Sequence, residues 1–193
     1  MANQAGSMEA VRLGEARPAQ GVADANLAAR ARQGEAAAFE ELYARYRDQV
    51  YGLCLNLMGD RDDAQDLLQE TFLRAYRALP RFRGASRFGT WLFRIAVNAC
   101  NDAMRKRRQA ADPVLTPASP DGGAEATVAR VRDALCCLQA KHRVVLALRY
   151  NRSLSYQEIA EVLGWSLPRV RVTIHRAKHA FREAYLRTDG EMP

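Results

Sequence analysis

The sequence predicts an all-α protein built as two small helical domains joined by a flexible linker, the C-terminal one containing a helix-turn-helix. Three observations predict it. Apolar residues recur at helical intervals from Asp24 to Arg108 and again from about Ala126 to Arg187, the spacing that keeps one helix face apolar. No strand-like alternation of useful length interrupts these stretches. Between them lies QAADPVLTPASPDGGAE, residues 109–125, with three prolines and two glycines, a composition unsuited to helix or strand. The first 23 residues are rich in Ala, Gly and Gln without periodicity, which predicts a disordered tail.

In chain order, the first distinctive element is GDRDDAQDLLQETFLRAYRAL, residues 59–79. It reads as a helix capped by Asp60 and closed by Pro80. Leu68, Phe72, Ala75 and Leu79 form its inner stripe, while Asp66, Gln69 and Glu70 share another face at i, i+3 and i+4. Early acids also favour the positive end of the helix dipole, which is the plain structural reading of this cluster.

The stretch RFRGASRFGTW, residues 81–91, interleaves Arg81, Arg83 and Arg87 with Phe82, Phe88 and Trp91, and carries two glycines. Cations and aromatic rings on a loop suit unstacked bases; the competing reading tucks some of those rings into the core. Then comes WLFRIAVNACNDAMRKRR, residues 91–108. On a helix, Leu92, Ile95, Ala96, Ala99 and Ala103 fall on one side, and Arg94, Asn98, Asn101, Arg105 and Arg108 on the other, in a strip roughly 80° wide. That strip holds cations and amides with no acid to pair with them. Such side chains bond both phosphates and base edges.

After the linker, SYQEIAEVLGWSLPRVRVTIHRAKHA opens with Ser155 and has Glu158 three residues on, a capping box. Ile159, Ala160 and Leu163 make a short apolar face. Gly164 permits a sharp turn, Ser166 offers a second N-cap, and Pro168 falls in a first turn where its missing N–H costs little. Val170, Ile174, Ala177 and Phe181 form the apolar stripe of the next helix. This is helix-turn-helix spacing, and the outer face of the second helix carries Arg169, Arg171, Val172, His175, Arg176 and His179, positioned for a major groove.

Charge is segregated. Residues 35–70 carry nine acids and three Arg, a net of −6; residues 81–108 carry eight Lys/Arg and one Asp, and residues 141–187 carry ten Lys/Arg and three Glu, +7 each. The whole chain of 193 residues is +7. One acidic and two basic surfaces point to two kinds of partner, with nucleic acid first among the polyanions. The longest aliphatic run, VVLAL at 144–148, is too short to span a bilayer, and the N-terminus lacks the pattern of a secretory signal. The expectation is a cytoplasmic protein with no membrane insertion.

Catalytic and metal readings are weak. Cys54, Cys100, Cys136 and Cys137 form no C-x-x-C pair and read as buried reduced thiols. His175 and His179 have metal-compatible spacing but no third ligand; His142 reads as structural. DDAQD, 62–66, matches the D-D-x-x-D pattern of magnesium-diphosphate enzymes, but no second acidic motif accompanies it. No cofactor or metal and no enzymatic activity are therefore expected. A stand-alone helix-turn-helix regulator is the other alternative; it leaves the acidic helix and the aromatic loop without a role.

Taken together, DDAQDLLQETFLRAY, FRGASRFGTWLFRIAVNACND, LSYQEIAEVLGWS and HRAKHAFRE resemble the extracytoplasmic-function (ECF) sigma factors, small sigma subunits of bacterial RNA polymerase. The resemblance covers residues 24–187. It implies a domain over 24–108 (sigma region 2) for polymerase core binding, minus-10 recognition and promoter melting. It also implies a domain over 126–188 (sigma region 4) for minus-35 recognition. It places core binding on Asp66, Gln69 and Glu70. It implies a base-capturing loop from Phe82 to Phe88, including Arg83, Ser86 and Arg87, and a melted-strand contact at Asn98, with Trp91, Arg94, Asn101 and Arg105 beside it. It assigns minus-35 reading to the second helix of the C-terminal domain and implies an anti-sigma protein as partner. The chain departs from the family pattern at Pro168-Arg169, where Gly-Thr is common, at Val172, where a small polar residue is common, and at Leu138-Gln139, where Leu-Pro is usual. Minus-35 specificity therefore does not carry over from relatives. A 17-residue linker reaches roughly 55–60 Å when extended, enough for the distance between two promoter elements.

Overall fold

The structure is a computed structural model that describes residues 18–109 and 126–190. Every regular element among them is helical. In order they are α1 (Pro18–Arg32), α2 (Ala36–Met58), α3 (Arg61–Ala78), a 3-10 turn (Leu79–Arg81), α4 (Phe88–Gln109), α5 (Ala126–Cys136), α6 (Ala140–Leu146), a π-helical turn (Ala147–Asn151), α7 (Tyr156–Leu163) and α8 (Leu167–Gly190).

Helices α1 to α4 pack around α2. Leu42, Val50, Leu53, Leu57 and Met58 form its buried stripe, answered by Leu68, Phe72 and Ala75 of α3 and by Leu92, Ala96 and Cys100 of α4. Asp60 caps α3 as expected, its side chain accepting the Asp63 N–H at 2.9 Å. Pro80 closes α3 by way of the 3-10 turn. Helix α1 begins at Pro18, so residues 18–23 belong to a helix and not to the tail. Proline suits a helix start, and α1 is held down by Asp24. That carboxylate is buried and accepts from the Tyr46 hydroxyl at 2.6 Å and Arg45 Nη1 at 2.8 Å. Burial, then this hydrogen bond, pushes the Tyr46 hydroxyl pKa well above its ordinary value.

Helices α5, α6 and α7 pack on α8, burying Ala134, Val145, Leu148, Ile159, Val170, Ile174 and Ala177. The capping box forms in full: Ser155 Oγ accepts the Glu158 N–H at 3.2 Å, and Glu158 Oε2 accepts the Ser155 N–H at 2.9 Å. Gly164 ends α7 at φ 64°, the left-handed conformation that favours glycine. The π turn has no sequence precursor; Arg149 braces it by donating to the Leu154 carbonyl at 2.8 Å. Arg143, read only as one cation among many, is buried at the end of α6 and reaches the Cys136 carbonyl at 3.4 Å. The linker expectation, apart from Gln109, lies outside the described residues, as does the tail up to residue 17.

Candidate nucleic-acid and polymerase interfaces

Helix α3 exposes Asp66 and Gln69 and half-buries Glu70, on the side opposite the α2 contact. Glu70 Oε1 accepts from Arg74 Nε at 2.7 Å, and Arg74 Nη1 reaches Asp102 Oδ2 of α4 at 3.2 Å. The carboxylate is therefore oriented, yet nearly half exposed. The same strip continues at three- and four-residue steps into Leu73 and Tyr76, whose side chains are 51% and 58% exposed. Tyr76 leans edge-on against Phe39, with ring centroids 5.1 Å apart. Adjacent Tyr43 is also exposed. The signal for this apolar extension was in the sequence: Leu73 and Tyr76 fall outside the inner stripe of Leu68, Phe72, Ala75 and Leu79, and so on the outer side of the helix.

The carboxylates of DDAQD do not converge. Asp62 points to solvent, Asp63 is ion-paired with Arg107 of α4, and no metal-binding group of three acids, His or Cys occurs among the described residues. Burial raises the Asp63 pKa, and Arg107 opposes that shift.

The aromatic loop divides. Phe82 and Phe88 are buried, 8% and 3% exposed. They pack on one another at 6.0 Å and on Trp91 at 4.8 and 5.6 Å. Neither ring offers a free face, so the expectation that they stack on bases is corrected: they form the floor beneath the loop. Arg83 and Arg87 are exposed, and Ser86 and Trp91 are half-buried. The physical reason is that two phenyl rings beside a helix start bury more apolar area inside than a loop can keep dry outside. On α4, Arg94, Asn98, Asn101 and Arg105 are all exposed, but the strip is not free of acids as expected: Asp102, one turn before Arg105, pairs with it at 3.1 Å.

On α8, Arg169, Arg171, Val172, His175, Arg176 and His179 are all exposed. Val172 is 50% exposed, an unusual setting for an aliphatic side chain at the centre of a cationic face. Arg169 lies over the Trp165 ring, 4.1 Å from its centroid, and is thereby aimed along the helix-turn-helix corner. The His175 and His179 rings sit 4.6 Å apart. Cys54 and Cys100 are buried as expected, with Sγ atoms 3.7 Å apart, but Cys137 is exposed and Cys136 half-buried.

An acidic-apolar strip on α3, a cationic-amide strip on α4 and an exposed cationic face on α8 thus coexist on one chain. Residues 42–110 match the family model Sigma-70 region 2, and residues 129–180 match Sigma-70, region 4. The chain belongs to the ECF sigma factors. It is 34% identical over 179 residues to the RNA polymerase sigma-H factor of Pseudomonas aeruginosa, covering 83% of this chain and 93% of that one. It is 35% identical over 161 residues to the sigma factor CarQ of Myxococcus xanthus, covering 80% and 92%. With the ECF sigma factor SigW of Bacillus subtilis it shares 32% over 170 residues, covering 79% and 91%. Among solved structures it is similar to CnrH in complex with the cytosolic domain of CnrY, with TM-score 0.70, 31% identity, and coverage of 88% of this chain and 99% of that one.

As a sigma factor, the chain binds RNA polymerase and directs transcription initiation at promoters. The sigma family is non-enzymatic, and membership in it replaces the stand-alone regulator reading. No helix among the described residues is long and apolar enough to cross a membrane.

Proposed function

We propose that the division of labour among these surfaces follows the domain plan read from the sequence: 24–108 for core binding and the minus-10 element, 109–125 as tether, and 126–188 for minus-35. Asp66, Gln69 and Glu70 bind the polymerase core, with Leu73 and Tyr76 as its apolar margin. Arg83, Ser86, Arg87, Trp91, Arg94, Asn98, Asn101 and Arg105 hold the minus-10 strand. Arg171, Val172, His175 and Arg176 enter the minus-35 major groove, with Arg169 and His179 flanking them. The observation that carries this reading is the segregation of charge along the chain: residues 35–70 are net −6, whereas residues 81–108 and 141–187 are +7 each. A single polyanionic partner does not account for both.

Base flipping costs a few kcal/mol, and a bundle this small needs a larger partner to supply it. The chain carries no chemistry of its own in this scheme, acts in the cytoplasm, and is held by an anti-sigma protein, as CnrH is held by the cytosolic domain of CnrY. Run-off transcription with core enzyme on a library of promoters tests the reading. Discrete start sites sharing two spaced elements are expected; transcripts without a common upstream sequence would defeat it.

A further inference from the structure

One side chain on the exposed face of α8 is out of character with the rest. Val172 is 50% exposed, with Arg169, Arg171, His175 and Arg176 exposed around it. It is not the margin of the core. Val170 and Ile174, two positions to either side, are 0% and 1% exposed, and two helical steps turn a side chain by about 200°. Val172 therefore points directly away from the packed side of the helix. Its neighbours are turned elsewhere. Arg169 lies over the Trp165 ring, 4.1 Å from its centroid, the His175 ring sits against that of His179, and Lys178 turns to the Tyr150 ring. Local structure gives no reason for a valine here, because valine is among the poorer helix formers. What it does bring is rigidity. One χ1 rotamer dominates for valine in a helix, so both γ-methyl groups are held in a fixed direction before any partner arrives.

We propose that Val172 is a thymine reader: its γ-methyl groups close on the C5-methyl of one thymine in the minus-35 major groove, between the cations Arg171 and Arg176. Helix α8 starts at Leu167, so Val172 belongs to its first two turns, the part of a recognition helix that meets base edges. Among the groups that base pairs display in that groove, the thymine methyl alone is apolar, and apolar side chains meet it there. The remaining groups are hydrogen-bond donors and acceptors, which valine desolvates without answering. Val172 therefore favours thymine twice: it covers the methyl, and it penalises a base whose polar edge it leaves unpaired. The guanidinium groups on either side set position and hold the duplex, whereas Val172 sorts sequences. The inference rests on the minus-35 role proposed for α8.

The test uses RNA polymerase core loaded with the full chain, and duplexes selected from a library randomised over both promoter elements. Each thymine of the selected minus-35 element is then replaced, one at a time, by deoxyuridine, which pairs identically and keeps every hydrogen-bonding group but lacks the methyl. Binding is measured by competition. The wild-type chain should lose about fourfold at one thymine, the effect of removing one methyl-sized apolar contact. Val172→Ser removes both γ-methyl groups and should bring the thymine-to-deoxyuridine ratio at that position close to one. Leu186→Ser is the control: it removes a comparably exposed aliphatic side chain, 55% exposed, at the far end of the same helix, and should keep the wild-type ratio. Neither side chain is part of the core, so both variants fold. Selection that returns no preferred thymine, a wild-type ratio near one at every position, or a ratio that survives Val172→Ser would each overturn the assignment. A preferred minus-35 element without methyl dependence would remove the thymine contact and leave the domain reading intact. Absence of any preferred element would remove both, so the two failures are distinguishable.

Discussion

Glu70 accepts Arg74 on one oxygen and leaves the other to solvent, while Gln69 beside it has its amide exposed. A docking partner meets a carboxylate already oriented, at little entropic cost. Gln69→Ala with Glu70→Ala should weaken core binding at least tenfold, about 1.4 kcal/mol, without altering helical content; surface plasmon resonance against core and circular dichroism check both. Unchanged core affinity would refute the assignment. Tyr76→Ala should add to the loss if the apolar margin shares the interface. Asn98→Ala should impair promoter opening, read by permanganate footprinting, more than initial duplex binding. Equal losses in both steps would count against a melting role. Arg171→Ala or Arg176→Ala should relax minus-35 preference by about 1–3 kcal/mol if a bidentate base contact is lost, read by selection on randomised duplexes. A uniform loss across sequences would mark a phosphate contact instead. These polar positions were legible early because cations and amides at helical spacing leave few alternatives. The placement of Phe82 and Phe88 stays open in the sequence, because an aromatic residue in a basic loop has the same signature whether it faces in or out; the structure buries both.

Helix boundaries follow capping chemistry closely. Asp60, Ser155 and Gly164 each punctuate the chain where the sequence places them. Ser155→Ala should cost about 1 kcal/mol by loss of the N-cap, measured by denaturant unfolding of the full chain. Helix α1 is the exception. Its Ala-rich composition gives no amphipathic signal, and its attachment depends on Asp24 meeting Tyr46 and Arg45 some twenty residues on. Asp24→Ala should leave the Tyr46 hydroxyl without its acceptor, at a cost of about 1–3 kcal/mol, and raise hydrogen exchange through α1 first. No local signal announces the π turn either: its irregular backbone is sustained by the Arg149 bond to Leu154 and by the buried Leu148 and Ala147.

For the assembled chain, segregated charge sets the response to salt. If the exposed α8 face neutralises three phosphates, raising salt from about 50 to 200 mM should weaken minus-35 duplex binding about fortyfold. The melting temperature should move far less, because the core of both helical halves is apolar. A salt response of the same size in stability would mean that surface ion pairs, not burial, hold the fold together. Helical content, the two-part pattern, the helix-turn-helix and the identity of the three polar surfaces were all readable in the linear chain, because periodicity, capping and charge are local properties. Which rings lie inward, that Tyr76 leans on Phe39 of another helix, and that Glu158 reaches Arg87 across 71 positions required the packed molecule. Burial and long-range pairing depend on which faces meet, and that is settled by the shape and area of all the helices together.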